Sequence, residues 1–108
     1  MLSKALIAAG EALAAFNEVD EKHIVIITDS ATTPDDIDTQ YALRKNADLG
    51  IQTTVIGIEA IESDSALMKK LLVEYAGMRE SDYYDVQHKE DIPYTVRNAL
   101  QKIRYEEE

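Results

Sequence analysis

The acidic residues that follow apolar stretches are the part of this sequence best suited to chemistry, and Asp29 is the most informative of them. It lies two positions after the unbroken apolar run 24–27, and Ser30 follows it directly. Carboxylate oxygens bind hard cations such as Mg²⁺ and Ca²⁺, and they also accept hydrogen bonds from basic side chains. The position therefore predicts contact with a divalent cation or with a basic partner.

Other acids occupy the corresponding connections farther along the chain. Helix capping competes as an explanation, because Asp and Glu are favoured at helix N-termini whether or not a ligand binds there. Capping accounts well for Asp35, Asp36, Asp64 and Asp91, but not for Asp29, which ends an apolar strand before the helix begins. We therefore place the cation or partner contact at Asp29, and the remaining candidate binding residues are Ser30, Asp35, Asp36, Glu59 and Asp64.

Four helices and three strands are predicted to alternate in the order αβαβαβα. The first helix runs from Leu2 to Phe16, because apolar residues recur there every three or four positions. A strand runs from His23 to Thr28, and its continuous apolar run is typical of a parallel strand that is covered on both faces.

The second helix has the clearest start signal in the sequence. Thr33 suits the N-cap, Pro34 suits the first helical position, and Asp35 and Asp36 suit the first turn. Gly50 fits the left-handed residue that ends this helix.

The second strand runs from Ile51 to Ile58 and is rich in β-branched residues. Gly57 within it predicts that another part of the chain approaches the backbone closely. Alternating strands and helices predict an α/β fold, a three-layer parallel sheet with helices on both faces. Every strand-to-helix connection then emerges at the carboxyl edge of the sheet, where α/β proteins bind their ligands.

The last part of the chain predicts a helix, a short strand and another helix. The third helix opens at Ser63 or Asp64 and closes at Gly77. A strand over residues 82–86 follows, and its two aspartates predict a place at an edge of the sheet. Asp91 is predicted to cap the fourth helix.

Composition narrows the function classes. The chain of 108 residues predicts one globular domain, and its net charge of −10 argues against nucleic acid as a partner. It has no cysteine, which excludes disulfides and thiolate sites and fits a reducing compartment. No apolar run approaches the roughly 20 residues of a membrane span, and the first residues read poorly as a signal peptide. A cytoplasmic location is favoured for this chain.

Catalysis is the main alternative to a binding role. A small α/β enzyme of the hydrolase or phosphotransferase type could use Asp29 as nucleophile or metal ligand, with His88 or Lys89 as the second convergent group. The sequence offers no evident triad and no glycine-rich phosphate loop. We therefore predict that the chain is not an enzyme. A structural fragment without independent activity is the third alternative.

Three segments in order resemble the carboxyl-terminal half of a von Willebrand factor A (VWA) domain of the bacterial type. They are HIVIITDS, GIQTTVIGIE and SDYYDVQHKEDIP. The first helix, LSKALIAAGEALAAF, is similar to the helix that precedes them in the family, so the match extends in order over nearly the whole chain. The resemblance implies half of a Rossmann-like fold and a function in binding other proteins. VWA domains bind through a divalent cation at the carboxyl edge, and many belong to larger or membrane-anchored proteins.

The resemblance also says what this chain lacks of the family's metal site. Asp29 matches the third metal motif, and Ser30 stands where glycine is commoner. The first motif, Asp-x-Ser-x-Ser, does not occur in the sequence, and Met1 stands where the threonine of the second motif would fall. Mg²⁺ wants six oxygen ligands, so binding of Mg²⁺ by this chain alone is expected to be weak or absent.

The resemblance further predicts an association. In the VWA fold the strand from His23 to Thr28 is flanked by a first strand that this sequence does not contain. Its free backbone groups predict pairing with a protein partner, as a homodimer or with a companion half-domain.

Overall fold

The predicted alternation of helices and strands is confirmed in a computed structural model, which describes residues 2–15, 21–29 and 36–107. The elements are α1 (Leu2–Ala14), β1 (Lys22–Thr28), α2 (Ile37–Asp48), β2 (Ile51–Ile58), α3 (Glu62–Glu74), β3 (Tyr83–Val86) and α4 (Ile92–Glu107). Short 3₁₀ turns at Glu80–Asp82 and Lys89–Asp91 precede β3 and α4. The fold is α/β with Rossmann-like layering.

The described strands form one parallel sheet in the order β1-β2-β3. The β1–β2 register runs from Lys22 opposite Ile51 to Thr28 opposite Gly57, and β3 pairs with the second half of β2. β3 lies at one edge of this sheet, as its aspartates predicted, and β1 lies at the other. The central strand is therefore β2, which is buried along nearly its whole length.

Helices cover both faces of the sheet. On one face, α1, α2 and α3 pack around Val55, with Leu6, Leu43 and Leu72 among the buried side chains. On the other face, α4 packs around the neighbouring residue Ile56. Successive residues of a strand point to opposite faces, so β2 supplies both halves of the core.

The prediction that β1 is covered on both faces was wrong. Ile24 is buried, but Ile27 is 48% exposed and the rest of the strand is only partly buried. The reason is its position, because α4 packs on β2 and β3 rather than squarely over the edge strand. A continuous apolar run thus stands at the edge of the sheet rather than at its centre.

The predicted start of α2 was also wrong. Asp36, expected in the first turn, is the N-cap: its carboxylate accepts hydrogen bonds from the Thr39 backbone N–H at 3.1 Å and the Thr39 hydroxyl at 2.7 Å. Asp caps helices at least as well as Thr, and Thr39 satisfies its second oxygen. The expected cap Thr33, together with Pro34 and Asp35, lies outside the described residues.

The other helix boundaries differ slightly from the predictions. α3 begins at Glu62 with Ile61 as its N-cap, so neither Ser63 nor Asp64 opens it. Backbone hydrogen bonds define the start of this helix, because the N–H groups of Asp64 and Ser65 both donate to the Ile61 carbonyl at 3.1 Å. The predicted stops are confirmed: Gly50 and Gly77 have φ values of +76° and +68°.

The third strand begins one residue later than predicted, because Asp82 belongs to the preceding 3₁₀ turn. Its buried carboxylate accepts the Arg79 backbone N–H at 3.0 Å and lies 3.4 Å from the Lys102 ammonium. Asp82 therefore ties α4 to the start of β3. Asp91, predicted as a cap, stands in the 3₁₀ turn before α4, where its carbonyl accepts the Thr95 hydroxyl at 2.9 Å.

Candidate functional site at the carboxyl edge

A small pocket lies at the carboxyl edge of the sheet, where β1 and β2 end. Its volume is about 80 Å³, and its lining consists of Thr28, Asp29, Gly57, Glu59, Ala60, Ile61, Asp64, Met68 and Tyr83. Three of the candidate residues from the sequence, Asp29, Glu59 and Asp64, thus share one pocket. They come from two different strand-to-helix connections, and the parallel register of β1 and β2 brings the two connections together.

The interior of the pocket is formed where Tyr83 crosses Gly57. A Cβ atom on Gly57 would lie 2.0 Å from the Tyr83 phenol oxygen, so only glycine leaves room for this ring. The phenol oxygen is also 3.2 Å from the Ser65 hydroxyl, and Tyr83 is buried. The close approach that Gly57 predicted is therefore made by Tyr83, and this packing joins β2, β3 and α3 beneath the acids.

Glu59 has a constrained backbone. Its φ of +53° makes it the one non-glycine residue with a positive φ in the described part of the chain. Its N–H donates a 2.7 Å hydrogen bond to the Val86 carbonyl, which ties the end of β2 to the end of β3. Such conformations cost about 1–3 kcal/mol and persist where the surrounding structure enforces them. The hydrogen bond to β3 fixes the exit direction of the chain and places Glu59 beside the pocket.

The three acids differ in exposure. Asp29 follows the last residue of β1 and is exposed, as is Glu59, whereas Asp64 in the first turn of α3 is half-buried. Among the described residues, the lining includes these three carboxylates and no Lys, Arg or His. An acidic pocket on a chain of net charge −10 favours a positively charged group.

The pocket is small compared with sites for small molecules. Ligand-binding cavities usually measure about 300–1,000 Å³. At about 80 Å³, this one holds a few water molecules or the end of a single side chain.

A wider groove continues from the pocket between α3 and β3. Its volume is about 580 Å³, and its lining is Ala60, Glu62, Ser65, Ala66, Lys69, Glu80, Asp85 and Gln87. Ala60 lines both the pocket and the groove. The Gln87 side-chain amide donates to the Ala60 carbonyl at 3.1 Å and to the Asp85 carboxylate at 2.8 Å, which fixes one wall.

The remaining candidate residues lie elsewhere. Asp36 caps α2 through Thr39 and is not in the lining, and Ser30 and Asp35 lie outside the described residues. His88 and Lys89, the groups that catalysis with Asp29 would require, are exposed at the turn before α4 and do not line the pocket.

The described residues do not fit a resident divalent cation. Among them, no group of three or more His, Cys, Asp or Glu side chains is arranged to hold a metal ion. Asp29, Glu59 and Asp64 share a pocket without forming such a group. Mg²⁺ binds near-octahedrally and gives up its water reluctantly, so these carboxylates alone do not make a metal centre.

Sequence reasoning missed Tyr83, Met68 and Ile61 as pocket residues. Gly57 was the available signal, since a glycine inside a buried strand marks a site where something packs closely. The sequence did not say which side chain does so. That partner is set by the β2–β3 register, in which Tyr83 lies opposite Val55.

Comparisons with known proteins add no family to this description. A scan against protein-family models and searches of curated proteins and of solved structures found no match to the chain. In the part of the chain that the structure describes, no helix has both the length and the apolar character needed to cross a membrane.

Proposed function

We propose that this chain is a protein-interaction module that binds its partner at the carboxyl edge of the sheet. The observation that carries the proposal is the pocket of about 80 Å³ that Asp29, Glu59 and Asp64 line together. The partner would insert a Lys or Arg side chain there. A pocket of this size suits the end of one long basic side chain, which can hydrogen-bond to more than one carboxylate.

Exposed apolar side chains at the carboxyl edge of the sheet support a protein partner over a free cation. Ile61, in the pocket lining, is 65% exposed, and Ile37, at the start of α2 on the same edge, is 71% exposed. Protein interfaces combine apolar anchors with a few charged contacts, whereas a free ion gains nothing from the apolar groups. The groove beside α3 would extend the contact to neighbouring residues of the partner.

The resemblance to the VWA family supports the same edge as the binding surface. VWA domains bind proteins there through a metal ion, but the described residues include no group of three or more His, Cys, Asp or Glu side chains that could hold one. We infer a metal-independent variant of that use, in which a basic side chain of the partner takes the place of the cation. The proposal gives the chain no catalytic role, because neither His88 nor Lys89 lines the pocket.

A charged tripeptide can test this proposal before a partner is known. Acetyl-Leu-Arg-Leu-amide should shift the amide NMR signals of Gly57, Glu59 and Asp64 in a saturable way. The same peptide with neutral citrulline in place of arginine should shift them far less, because it lacks the charge. Equal shifts with both peptides, or none with either, would contradict the proposal and favour the structural-fragment alternative.

The first prediction is that Asp29→Asn weakens arginine-peptide binding without lowering the melting temperature. Asp29 is exposed, so losing its charge should cost little stability but remove an ion pair with the ligand. Asp48→Asn is the matched control, since Asp48 is an exposed acid at the last position of α2, before β2 enters the opposite edge. Equal weakening by both variants would mean that only net charge matters.

A further inference from the structure

The outer edge of β1 is the longer of the two outer strand edges in the described part of the sheet. β1 has seven residues and pairs only with β2 among the described strands, whereas the opposite edge strand, β3, has four. Edge strands that avoid association are usually short or interrupted by Pro, a bulge or inward-pointing charge. From Ile24 to Ile27 β1 has only apolar side chains.

One face of this edge is also incompletely covered. Val25 and Ile27 point to the α4 side of the sheet, where Val25 touches the α4 core and Ile27 is 48% exposed. Ile26 points to the other side, against the core formed by α1, α2 and α3. An added strand would therefore pair with the backbone from Ile24 to Ile27 and also cover Ile27.

We propose that a second copy of this chain pairs with β1 in antiparallel orientation, with the two-fold axis perpendicular to the sheet at Ile26. Such an axis keeps each face of the sheet on the same side in both copies, so residues with the same parity lie opposite each other. In this register Val25 of each copy lies opposite Ile27 of the other. Two apolar pairs then cover the exposed side chains.

The positions of the charged residues favour this register over the one in which the axis passes through Val25. Centring the axis at Val25 would place Glu21 opposite Asp29, and like charges directly opposite each other are destabilising. It would also place Ile27 opposite His23. The axis at Ile26 instead places His23 opposite Asp29, so it removes the repulsion, and it places the exposed Ile27 opposite the apolar Val25.

The dimer has a geometric consequence for binding. Antiparallel pairing of β1 creates a sheet of six described strands, in which the carboxyl edges of the two copies face opposite directions. Two basic partners would be bound on opposite sides of one molecule, a consequence that rests on the proposed function. The dimer itself does not depend on that function and is tested without any ligand.

Single cysteines can identify the register, because the native chain has none. In the proposed pairing, Ile26→Cys faces its own copy across the axis at a Cα separation of about 5 Å, which a disulfide spans. Val25→Cys would lie about 8 Å from its copy, since the two are offset by two residues along the strands, and that distance is too long. Mild oxidation should therefore cross-link Ile26→Cys and leave Val25→Cys almost entirely uncross-linked.

Light scattering coupled to size exclusion gives the second measurement. The native chain should have twice the monomer mass of 12.1 kDa, and Ile27→Lys should lose the dimer by placing a charge opposite Val25. A native monomer at tens of micromolar would overturn the proposal. So would preferential cross-linking of Val25→Cys, which indicates the other register, or a dimer that persists in Ile27→Lys, as expected for a domain swap.

Discussion

Gly57 and Glu59 both lie at the carboxyl edge of the sheet and are both sterically constrained, and Glu59 is also exposed. Gly57 is required by the Tyr83 phenol, whereas Glu59 adopts a backbone conformation that glycine would adopt at lower cost. A left-handed conformation costs a non-glycine residue about 1–3 kcal/mol. The sequence keeps a glutamate there, and its side chain lines the acidic pocket. Retaining a carboxylate at a costly position supports a binding role for it.

The second prediction follows from the cost of the Glu59 backbone conformation. Glu59→Gly should keep or raise the melting temperature, because the gain from relieving φ = +53° is offset only partly by the extra freedom of glycine in the unfolded chain. The same variant should bind the arginine peptide more weakly. Thermal unfolding and the NMR titration measure the two effects separately. Loss of stability with unchanged binding would show that the glutamate side chain is structural.

Elements pack through a few close contacts whose partners lie far apart in sequence. α1 and α2 meet where Gly10 leaves room for Asn46, whose buried side-chain amide donates a 3.0 Å hydrogen bond to the Leu6 carbonyl. A Cβ on Gly10 would lie 2.0 Å from the Asn46 side-chain oxygen. The glycine inside α1 lowers helix propensity, and the close approach of α2 explains why it stands there.

The third prediction is that the effect of Gly10→Ala on the free energy of unfolding changes sign when Asn46 is removed. In the native background the substitution should destabilise the fold by about 1–3 kcal/mol, because Asn46 must move and its buried hydrogen bond is disturbed. In an Asn46→Ala background the same change should stabilise the fold by about 0.5–1 kcal/mol, the usual gain from replacing glycine by alanine in a helix. Chemical denaturation of the four proteins in this cycle measures both values.

One result of the same mutant cycle would contradict this explanation of Gly10. If Gly10→Ala destabilises both backgrounds by similar amounts, the contact with Asn46 is not the reason for the glycine. Asn46→Ala alone should be destabilising, since it leaves the buried Leu6 carbonyl without this donor.

At the scale of the whole molecule, the two faces of the sheet are unequally covered. Three helices pack on one face, and α4 covers mainly β2 and β3 on the other. The acidic pocket lies at one end of the strands, and the outer edge of β1 lies at one side of the sheet. A partner at the pocket and a second copy along β1 therefore use different surfaces of the same chain.

The fourth prediction is that Mg²⁺ binds this chain weakly or not at all. Titration calorimetry with Mg²⁺ or Mn²⁺ should show no saturable heat below millimolar concentrations, because no metal-binding group of three side chains occurs among the described residues. Asp29→Asn serves as the control for weak binding at the pocket. A micromolar site that this variant abolishes would contradict a metal-independent function and restore the cation to the proposed interaction.

The sequence by itself determined the element order, the parallel sheet and the concentration of acids at its carboxyl edge. These follow from local signals. Apolar periodicity distinguished strands from helices, and Gly50 and Gly77 ended helices because their left-handed conformations favour glycine. The strand from Ile51 to Ile58 was predicted with its observed bounds, because the segment is rich in β-branched residues and begins directly after the helix-ending Gly50.

The tertiary structure alone decided which of those acids line the same pocket and how well the helices cover each strand. Asp29 and Asp64 are far apart in sequence, and the β1–β2 register and the start of α3 bring them to one pocket. Asp36 looked like the other candidates, yet its contacts with Thr39 make it a helix cap. The run from Ile24 to Ile27 predicted a strand covered on both faces, yet Ile27 is 48% exposed, because composition records how apolar a strand is and not which neighbours cover it.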